Sequence, residues 1–447
     1  MQKSAETADR CFLFVRGAVQ CMLSNLRLVK YFLFLNLIKS QYMDRIYMDH
    51  AAATPVDARV VEEMAPFWSN DIGNPGAIHK EGVRARNAIN EARNSVALLL
   101  GIHSDEIVFT GSATESANMA LYGTVRAWKV AHPKRTAHVI VSAIEHDAVL
   151  LSARALEAEG VRVTEISVDG DGIILADQLR AALSEDTVIV SVMYANNEIG
   201  TIQPLIDVAK IIRKWKKEVR KVVRTEKPEG EERYPLFHTD ACQAVNYLDM
   251  HIPRLGVDLL TLSAAKIYGP KGVGMLAIAR GTPFSPLVVG GGQEGGNRAG
   301  TENIPGIIGL ARALQIARDV AQEESLRLAK IRDYAIERLR SLPGVVINGS
   351  TERRLPNNVH FSLRDVDHEF LALALDAEGI AVATKSACNE LEAEYSHVLL
   401  ALNAAREGEY PSSGIRLSFG RQTSEEQVDV LLRALARTQE RMLTPLA

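Results

Sequence analysis

The chain has 447 residues, 47% of them hydrophobic and 24% charged, and its 51 lysines and arginines stand against 55 aspartates and glutamates for a formal charge of -4. A chain of this length buries a large core and divides into more than one domain, and this composition argues against disorder, a fibre or a polytopic membrane protein. The near-balanced charge offers no footprint for nucleic acid or an anionic membrane surface, so small-molecule chemistry with no direct nucleic-acid partner is expected.

Four cysteines (Cys11, Cys21, Cys242 and Cys388) are too few for a disulfide framework, and no C-x-x-C pair is present for zinc or redox work. A reducing compartment, the cytoplasm, is expected, with no metal site. Residues 1–42 differ from the rest. The run CFLFVRGAVQCMLSNLRLVKYFLFLNLI is apolar and aromatic, but Arg16, Arg27 and Lys30 interrupt it. They leave no stretch of about 18 apolar residues, the length a spanning helix needs, and no small-residue cleavage site follows a compact apolar core. The expectation is a leader that the working protein does not use, neither membrane span nor signal peptide, with an interfacial helix as the minor alternative.

From Met43 onward helices alternate with short apolar strands. The spacing predicts a helix over 82–101, a strand over 106–110 and a second helix from Ser112. Further strands are expected at 138–144, 162–168, 187–193, 235–240, 257–263 and 273–279. Strands this apolar, separated by helices, imply a mostly parallel sheet covered on both faces, an α/β fold. The segment 211–234 is dense in charge and reads as a solvated helix and surface loop. A long helix over 307–342 leads to a strand-rich segment near Val345, and a last helix starts at Glu425. The expected organisation is a large domain over 59–317 and a smaller α+β domain made of 43–58 and 318–447.

In an open parallel sheet, ligands bind where the strands run out into their carboxyl-terminal turns. Those turns are chemically rich here. Gly111-Ser112-Ala113-Thr114 opens a helix whose free N–H groups and hydroxyl can hold a phosphate, although an ordinary N-cap reads the same way. Glu145 and His146 follow the strand at 138–144, and Asn196, Asn197 and Glu198 follow that at 187–193. Asp240 ends the next strand, with Gln243 beyond it, and Ser263 ends another, with Lys266 beyond it in a turn of small residues. A lysine able to form a Schiff base, an aspartate able to keep a pyridinium nitrogen protonated and a helix terminus for a phosphate together describe pyridoxal 5'-phosphate.

Read as a whole, the chain from about Ile46 to Arg437 resembles the cysteine desulfurases of the class V aminotransferase-like group, which have the type I pyridoxal-phosphate fold. The matching segments run in order. They are Y-M-D-H-A-A-A-T-P-V (47–56), G-N-P (73–75) with His79, T-G-S-A-T-E-S-A-N (110–118), I-E-H-D-A-V-L (144–150), Y-A-N-N-E-I-G (194–200) and H-T-D-A-C-Q-A (238–244), followed by K-I-Y-G-P-K-G-V-G (266–274), G-G-G-Q-E (290–294), R-A-G-T-E-N (298–303), S-A-C (386–388) and S-G-I-R-L-S-F-G-R (413–421).

The resemblance implies that Lys266 carries the cofactor and handles protons at the substrate's alpha carbon. It implies that His146 stacks on the ring, Asp240 pairs with the ring nitrogen and Gln243 meets the phenolic oxygen. Ala113, Thr114 and Ser263 would hold the phosphate, and Thr301 would reach the cofactor of the other subunit in a homodimer. Asn197 and Arg416 would clamp the carboxylate of L-cysteine, Arg416 by bidentate geometry. Cys388 would accept the sulfur as a persulfide, leaving alanine, with Lys385 favouring the thiolate. The sulfur would pass to acceptor proteins serving iron–sulfur cluster assembly or tRNA thiolation. Cys242 reads as structural.

Two positions depart from the pattern. Ala265 stands where the family commonly has a histidine before the lysine, and Gly295 where it often has an arginine. Neither is required for carbon–sulfur cleavage. A selenocysteine lyase or another class V enzyme is the nearest rival, and a non-catalytic sulfur-transfer scaffold is the rival of a different kind. A nucleotide-binding dehydrogenase is poorly supported, because no strand leads into a G-x-G-x-x-G turn.

Overall fold

The structure, a computed structural model, describes residues 45–222, 233–384, 395–407 and 410–443. The leader over 1–42, the end of the charged stretch and Cys388 lie outside these residues.

A seven-stranded sheet is the centre of the molecule. Its strands β2 (Ile107–Thr110), β3 (His138–Ser142), β4 (Arg162–Ile166), β5 (Thr187–Ser191), β6 (Leu236–Asp240), β7 (Leu259–Ser263) and β8 (Gly274–Ile278) lie in the order β2-β8-β7-β6-β5-β3-β4. Every residue of six of these strands is buried, while β4, at the edge, exposes Arg162 and Glu165. Such strands need cover on both faces, and the period-two geometry sorts their side chains accordingly. Val139, Ile189, Leu236 and Leu259 face one core, whereas their chain neighbours Ile140, Val190, Phe237 and Leu260 face the other.

The covering helices are α1 (Lys80–Leu100), α2 (Ala113–Ala131), α3 (Asp147–Ala158), α4 (Leu205–Val222) and the start of α5 (Ile304–Arg340). Met119, Leu121, Val125 and Trp128 of α2 and Leu156 of α3 fill one side. Ile89 and Val96 of α1, Val208 and Ile212 of α4, and Leu310 and Leu314 of α5 fill the other. The first part of the charged stretch, expected as a solvated helix, is the end of this packed helix, with Arg213, Lys214, Lys217 and Glu218 exposed.

Strands β3 to β7 pair in parallel, but β8 runs antiparallel to both β7 and β2. The expected mostly parallel sheet thus has one reversed strand. The turn from Ser263 to Gly274 is too short for the crossover of a dozen or more residues that a parallel return needs.

A third core gathers Met48, Leu328 and Ile331 of α5, and Phe361, Leu371, Leu417 and Leu431. It lies under an antiparallel sheet of β9 (Val345–Ile347), β10 (Asn358–Leu363) and β12 (Ile415–Ser418), with α6 (His368–Ala377) and α8 (Glu425–Leu443) against it. Beside it β1 (Ile46–Tyr47) pairs in parallel with β11 (Ile380–Ala381). The short helix α7 (His397–Asn403) sends Val398, Leu399 and Leu402 into a separate cluster with Ile144, Met193 and Ile199, at the ends of β3 and β5.

Two histidines stitch the central sheet through its dry interior. His238 on β6 lies between Ser191 Oγ of β5 (2.8 Å) and Thr261 Oγ1 of β7 (3.0 Å), and His138 on β3 lies between Thr187 and Thr164 hydroxyls, each at 2.9 Å. Burial pushes both imidazoles down to about 4, so they stay neutral and exchange hydrogen bonds rather than charge.

The glycine-rich turn at 290–298 is fixed by Glu294. Its carboxylate takes two hydrogen bonds of 2.7 Å from Arg93 on α1 and one of 2.8 Å from the Phe109 N–H on β2. Glu294, Gly295 and Gly296 lie at φ of 49°, 64° and 83°. An arginine at 295 would have to adopt left-handed backbone, and glycine carries no such penalty. Breaking a buried ion pair by removing one partner costs about 3–5 kcal/mol. Glu294→Ala is expected to lose stability of that order while Gly295→Ala loses about 1 kcal/mol, as urea unfolding would measure; equal losses would contradict this account of the turn.

Candidate active site

Because β3, β5, β6 and β7 are parallel, their carboxyl ends lie along one edge of the sheet, and each hands its next residues to the same region. Asp240 is the last residue of β6 and is 8% exposed. Its Oδ1 accepts a hydrogen bond from the N–H of Cys242 (2.9 Å), which starts the turn carrying Gln243. Ser263 ends β7, also buried, and a single 3-10 turn follows with Lys266 at its end.

Lys266 and Gln243 come together against one stretch of chain. Lys266 Nζ donates to the carbonyl of Ala52, and Gln243 Nε2 donates to the carbonyl of Ala51 at 3.0 Å. The same stretch fixes the turn that bears the lysine. Thr54 donates to the Ala265 carbonyl from its N–H (3.0 Å) and from its hydroxyl (3.1 Å), and accepts from the Tyr268 N–H at 2.8 Å. Ala265 thus contributes its carbonyl, which any residue would supply.

The N-terminus of α2 meets the sheet at β8. A Cβ on Gly274 would lie 2.7 Å from the Ser112 carbonyl carbon and 3.0 Å from the Ala113 nitrogen, so only glycine lets the helix start this close. Ser112 caps the helix by accepting the Glu115 N–H at 3.1 Å, while Ala113 is half-buried and Thr114 exposed. Glu115 in turn holds Arg298 at 2.7 Å, which binds the glycine-rich turn to the helix start.

His146 caps α3, its Nδ1 accepting the Ala148 N–H at 3.1 Å. Glu145, immediately before it, is wholly buried. Burial raises its carboxyl to about 7, opposed by hydrogen bonds from Ser142 and Met193, with the charge of Asp240 adding to the rise and His146 opposing it. Arg416 on β12 reaches the ends of β5 and β1. It is 1% exposed, donates from Nη1 to the Asn197 carbonyl (3.0 Å) and pairs through Nη2 with Asp49 (2.7 Å). Its Nε–H is buried with no hydrogen-bond partner among the described residues. One guanidinium edge is therefore oriented by protein groups, with a further donor to satisfy.

The structure thus brings together Lys266, Asp240, Gln243 and Ser263, sets both His146 and Asp240 within electrostatic reach of Glu145, and joins Asn197 to Arg416. Thr301 is exposed. The sequence assigns no role to Asp49 or to the carbonyls of Ala51, Ala52 and Ala265, although the motif 47–56 that contains most of them stands out. Backbone acceptors carry no side-chain signal, and Asp49 declares itself only when β1 and β12 are side by side.

A family model described as Aminotransferase class-V matches residues 46–223 and 229–431. The chain is 42% identical over 89% of its length to the cysteine desulfurase IscS of Dictyoglomus turgidum, covering 95% of that protein. It is 41% identical over 87% of its length to the cysteine desulfurase IscS of Methanosarcina thermophila, covering 90% of it. Among solved structures, a NifS-like protein matches with a TM-score of 0.78 at 36% identity, covering 89% of this chain and 100% of that one. DndA from Streptomyces lividans matches with a TM-score of 0.65 at 30% identity, over 85% of this chain and 99% of that one.

Cys242 is buried beside Asp240, and burial, then the aspartate's charge, pushes its thiol well above the ordinary range. A thiol that stays protonated and covered is inert. Native-state alkylation with iodoacetamide, followed by peptide mass spectrometry, is expected to leave Cys242 unmodified until denaturant is added; labelling in the folded protein would contradict the structural reading of this cysteine.

Proposed function

The chain belongs to the aminotransferase class-V family, among its cysteine desulfurases, and from that premise we infer how its own residues carry the reaction. It is a cysteine desulfurase, converting L-cysteine to L-alanine with transfer of the sulfur to an enzyme cysteine. The observation that carries the reading of the site is the convergence of Lys266 and Gln243 on the turn at 51–52, with the buried Asp240 fixing the start of the turn that bears Gln243.

The family is pyridoxal-phosphate-dependent, and the donor set fits that group. It includes a helix N-terminus with adjacent hydroxyls, a buried carboxylate, a lysine in a turn of small residues and a guanidinium with an unpartnered buried N–H. In our reading Ala113, Thr114 and Ser263 hold the phosphate, Asp240 the ring nitrogen and Gln243 the phenolic oxygen, and His146 lies on the ring face. The bound cofactor supplies an electron sink for the pair released when the bond from carbon to sulfur breaks. Lys266 would hold the cofactor and would move a proton to and from the substrate's carbon atoms. Arg416 and Asn197 orient the substrate carboxylate, Arg416 already turned to face it by Asp49. The thiolate of Cys388 forms the new S–S bond to the substrate sulfur while the C–S bond breaks, and a proton delivered to the carbon completes alanine.

We place the sulfur's next carrier among acceptor proteins of iron–sulfur assembly or tRNA thiolation, and the enzyme in the cytoplasm. A homodimer is supported by exposed apolar side chains in the segment 67–83. Trp68 is 67% exposed, Ile72 71% and Ile78 96%, and Ile78 lines a cleft with Phe67 and Val83. Thr301, exposed in the single chain, would then serve the partner's cofactor. The separate cores support a large domain over 59–317 and a small one made of 43–58 and 318–447.

Lys266→Ala is expected to lose the visible absorbance of the covalently held cofactor and to slow alanine release from cysteine by at least about 10²–10⁴-fold, the contribution typical of a positioned acid–base group. Borohydride reduction of the wild type should fix the cofactor on the peptide containing Lys266. A label fixed on any other lysine would overturn the assignment.

A further inference from the structure

Glu145 lies at these strand ends with no task in the reaction as described, and its surroundings are unusual for a carboxylate. It is 0% exposed. Both donors that reach it, the hydroxyl of Ser142 on β3 and the N–H of Met193 just after β5, meet the same oxygen, Oε1, at 2.6 Å each. The other oxygen, Oε2, is buried and finds no hydrogen-bond partner among the described residues.

A buried carboxylate spreads its charge over two oxygens, and both need donors. A neutral carboxylic acid has one carbonyl oxygen that accepts two hydrogen bonds and one hydroxyl. Around Glu145 both donors meet one oxygen and none meets the other, which suits a carbonyl and a hydroxyl better than a shared charge, because a buried hydroxyl without a partner costs far less than a buried charge without one. Of the charged groups around it, Asp240, from the end of β6, opposes a second negative charge, and His146, from the start of α3, favours one, the weaker of the two influences. From α7, His397 Nε2 lies 3.0 Å from the main-chain carbonyl of Glu145 and touches no carboxyl oxygen.

We propose that Glu145 is held as a neutral acid and serves as a positioning residue, tying the β3 end that carries His146 to the β5 end that carries Asn197 without adding a charge beside Asp240. Its carbonyl oxygen grips Ser142 and Met193, so the two turns that bear a ring-facing group and a substrate-facing group move as one body. Being uncharged, it adds no negative charge next to that of Asp240. This inference rests on the reading of Asp240 and His146 given above.

Burial raises the folded-state value to about 7, above that of an exposed glutamate. A raised value means that the stabilisation is complete at pH below the unfolded-state value and is lost as pH climbs to the folded-state one. Between about pH 4.5 and 7 the wild type should therefore lose stability relative to Glu145→Gln, by up to about tenfold in the unfolding constant per pH unit, and the gap should level off above that.

The test compares thermal unfolding of wild type and Glu145→Gln, as purified without cofactor and with pyridoxal phosphate, from pH 4.5 to 8.5. The midpoint of Glu145→Gln should gain steadily on the wild type through the window. Alanine release at pH 6.5 should be retained by Glu145→Gln and fall about 10–100-fold in Glu145→Ala, the penalty for misplaced groups. A midpoint difference that is the same at pH 5 and pH 8, or an Ala variant as active as the Gln variant, would overturn the proposal.

Should Glu145→Gln not fold, infrared spectra of the wild type with carbon-13 at its glutamate carboxyls give an independent answer. A protonated-carboxyl band at pH 6 that fades by pH 8.5 supports the proposal, and its absence sinks it. The glutamate label excludes Asp258, another carboxyl raised by burial. Adding pyridoxal phosphate separates this inference from the reading it rests on. A pyridinium beside Asp240 should move the window to lower pH, and a window that stays in place would retain the neutral glutamate while removing the ring from Asp240.

Discussion

The six residues Asp49–Thr54 hold the molecule's reactive parts in one place. Asp49 pairs with Arg416, His50 and Ala51 bond to Ser418, Ala51 and Ala52 accept from Gln243 and Lys266, and Thr54 clasps the Ala265–Tyr268 turn. The strand just before them, β1, is paired with β11, and Met48 lies in the third core, so the segment leaves one body of the protein and lies across the strand ends of the other. Its most demanding contact is Asp49 with Arg416. A guanidinium that is 1% exposed needs a counter-charge, and stripping one partner from such a pair costs about 3–5 kcal/mol. The contact is therefore both a clasp between two bodies and the device that aims Arg416.

The central sheet supplies the other half of the arrangement. A parallel sheet points every strand's carboxyl end the same way, and its interior must be satisfied without water. The hydroxyl-bracketed His238 satisfies β5, β6 and β7 together, two residues before Asp240, so the register that buries the sheet also sets the height of the aspartate. Glycine at 274 and a left-handed turn at 294–296 then let the α2 start and the 290–298 turn close over the edge.

Much of this is legible in the sequence, for identifiable reasons. The buried strands read as unbroken apolar runs, and the polar residues that end them, His146, Asn197, Asp240 and Ser263, stand out because the runs stop there. Lys266 is conspicuous among glycines and alanines. The reversal of β8 is harder to see, since an apolar run carries no direction and only the length of the preceding turn gives it away. Asp49 reads as an ordinary turn acid until Arg416 arrives from 367 residues further along the chain. Glu145 is visible as a residue, but its protonation is not, because which oxygen receives the donors is a property of the folded strand ends. Gly295 reads as a departure from the family pattern, and the backbone at that point supplies its reason.

The central claim is that sulfur leaves cysteine for one particular thiol of this chain, Cys388, in a site built around Lys266. The most direct measurement is mass spectrometry of the enzyme quenched during turnover with L-cysteine, with persulfides trapped by alkylation and each cysteine peptide weighed. One added sulfur on the peptide bearing Cys388, absent from Lys266→Ala and displaced to no other cysteine in Cys388→Ser, is the predicted result. Added sulfur on Cys242 instead, or alanine formed at the wild-type rate by Cys388→Ser, would contradict it.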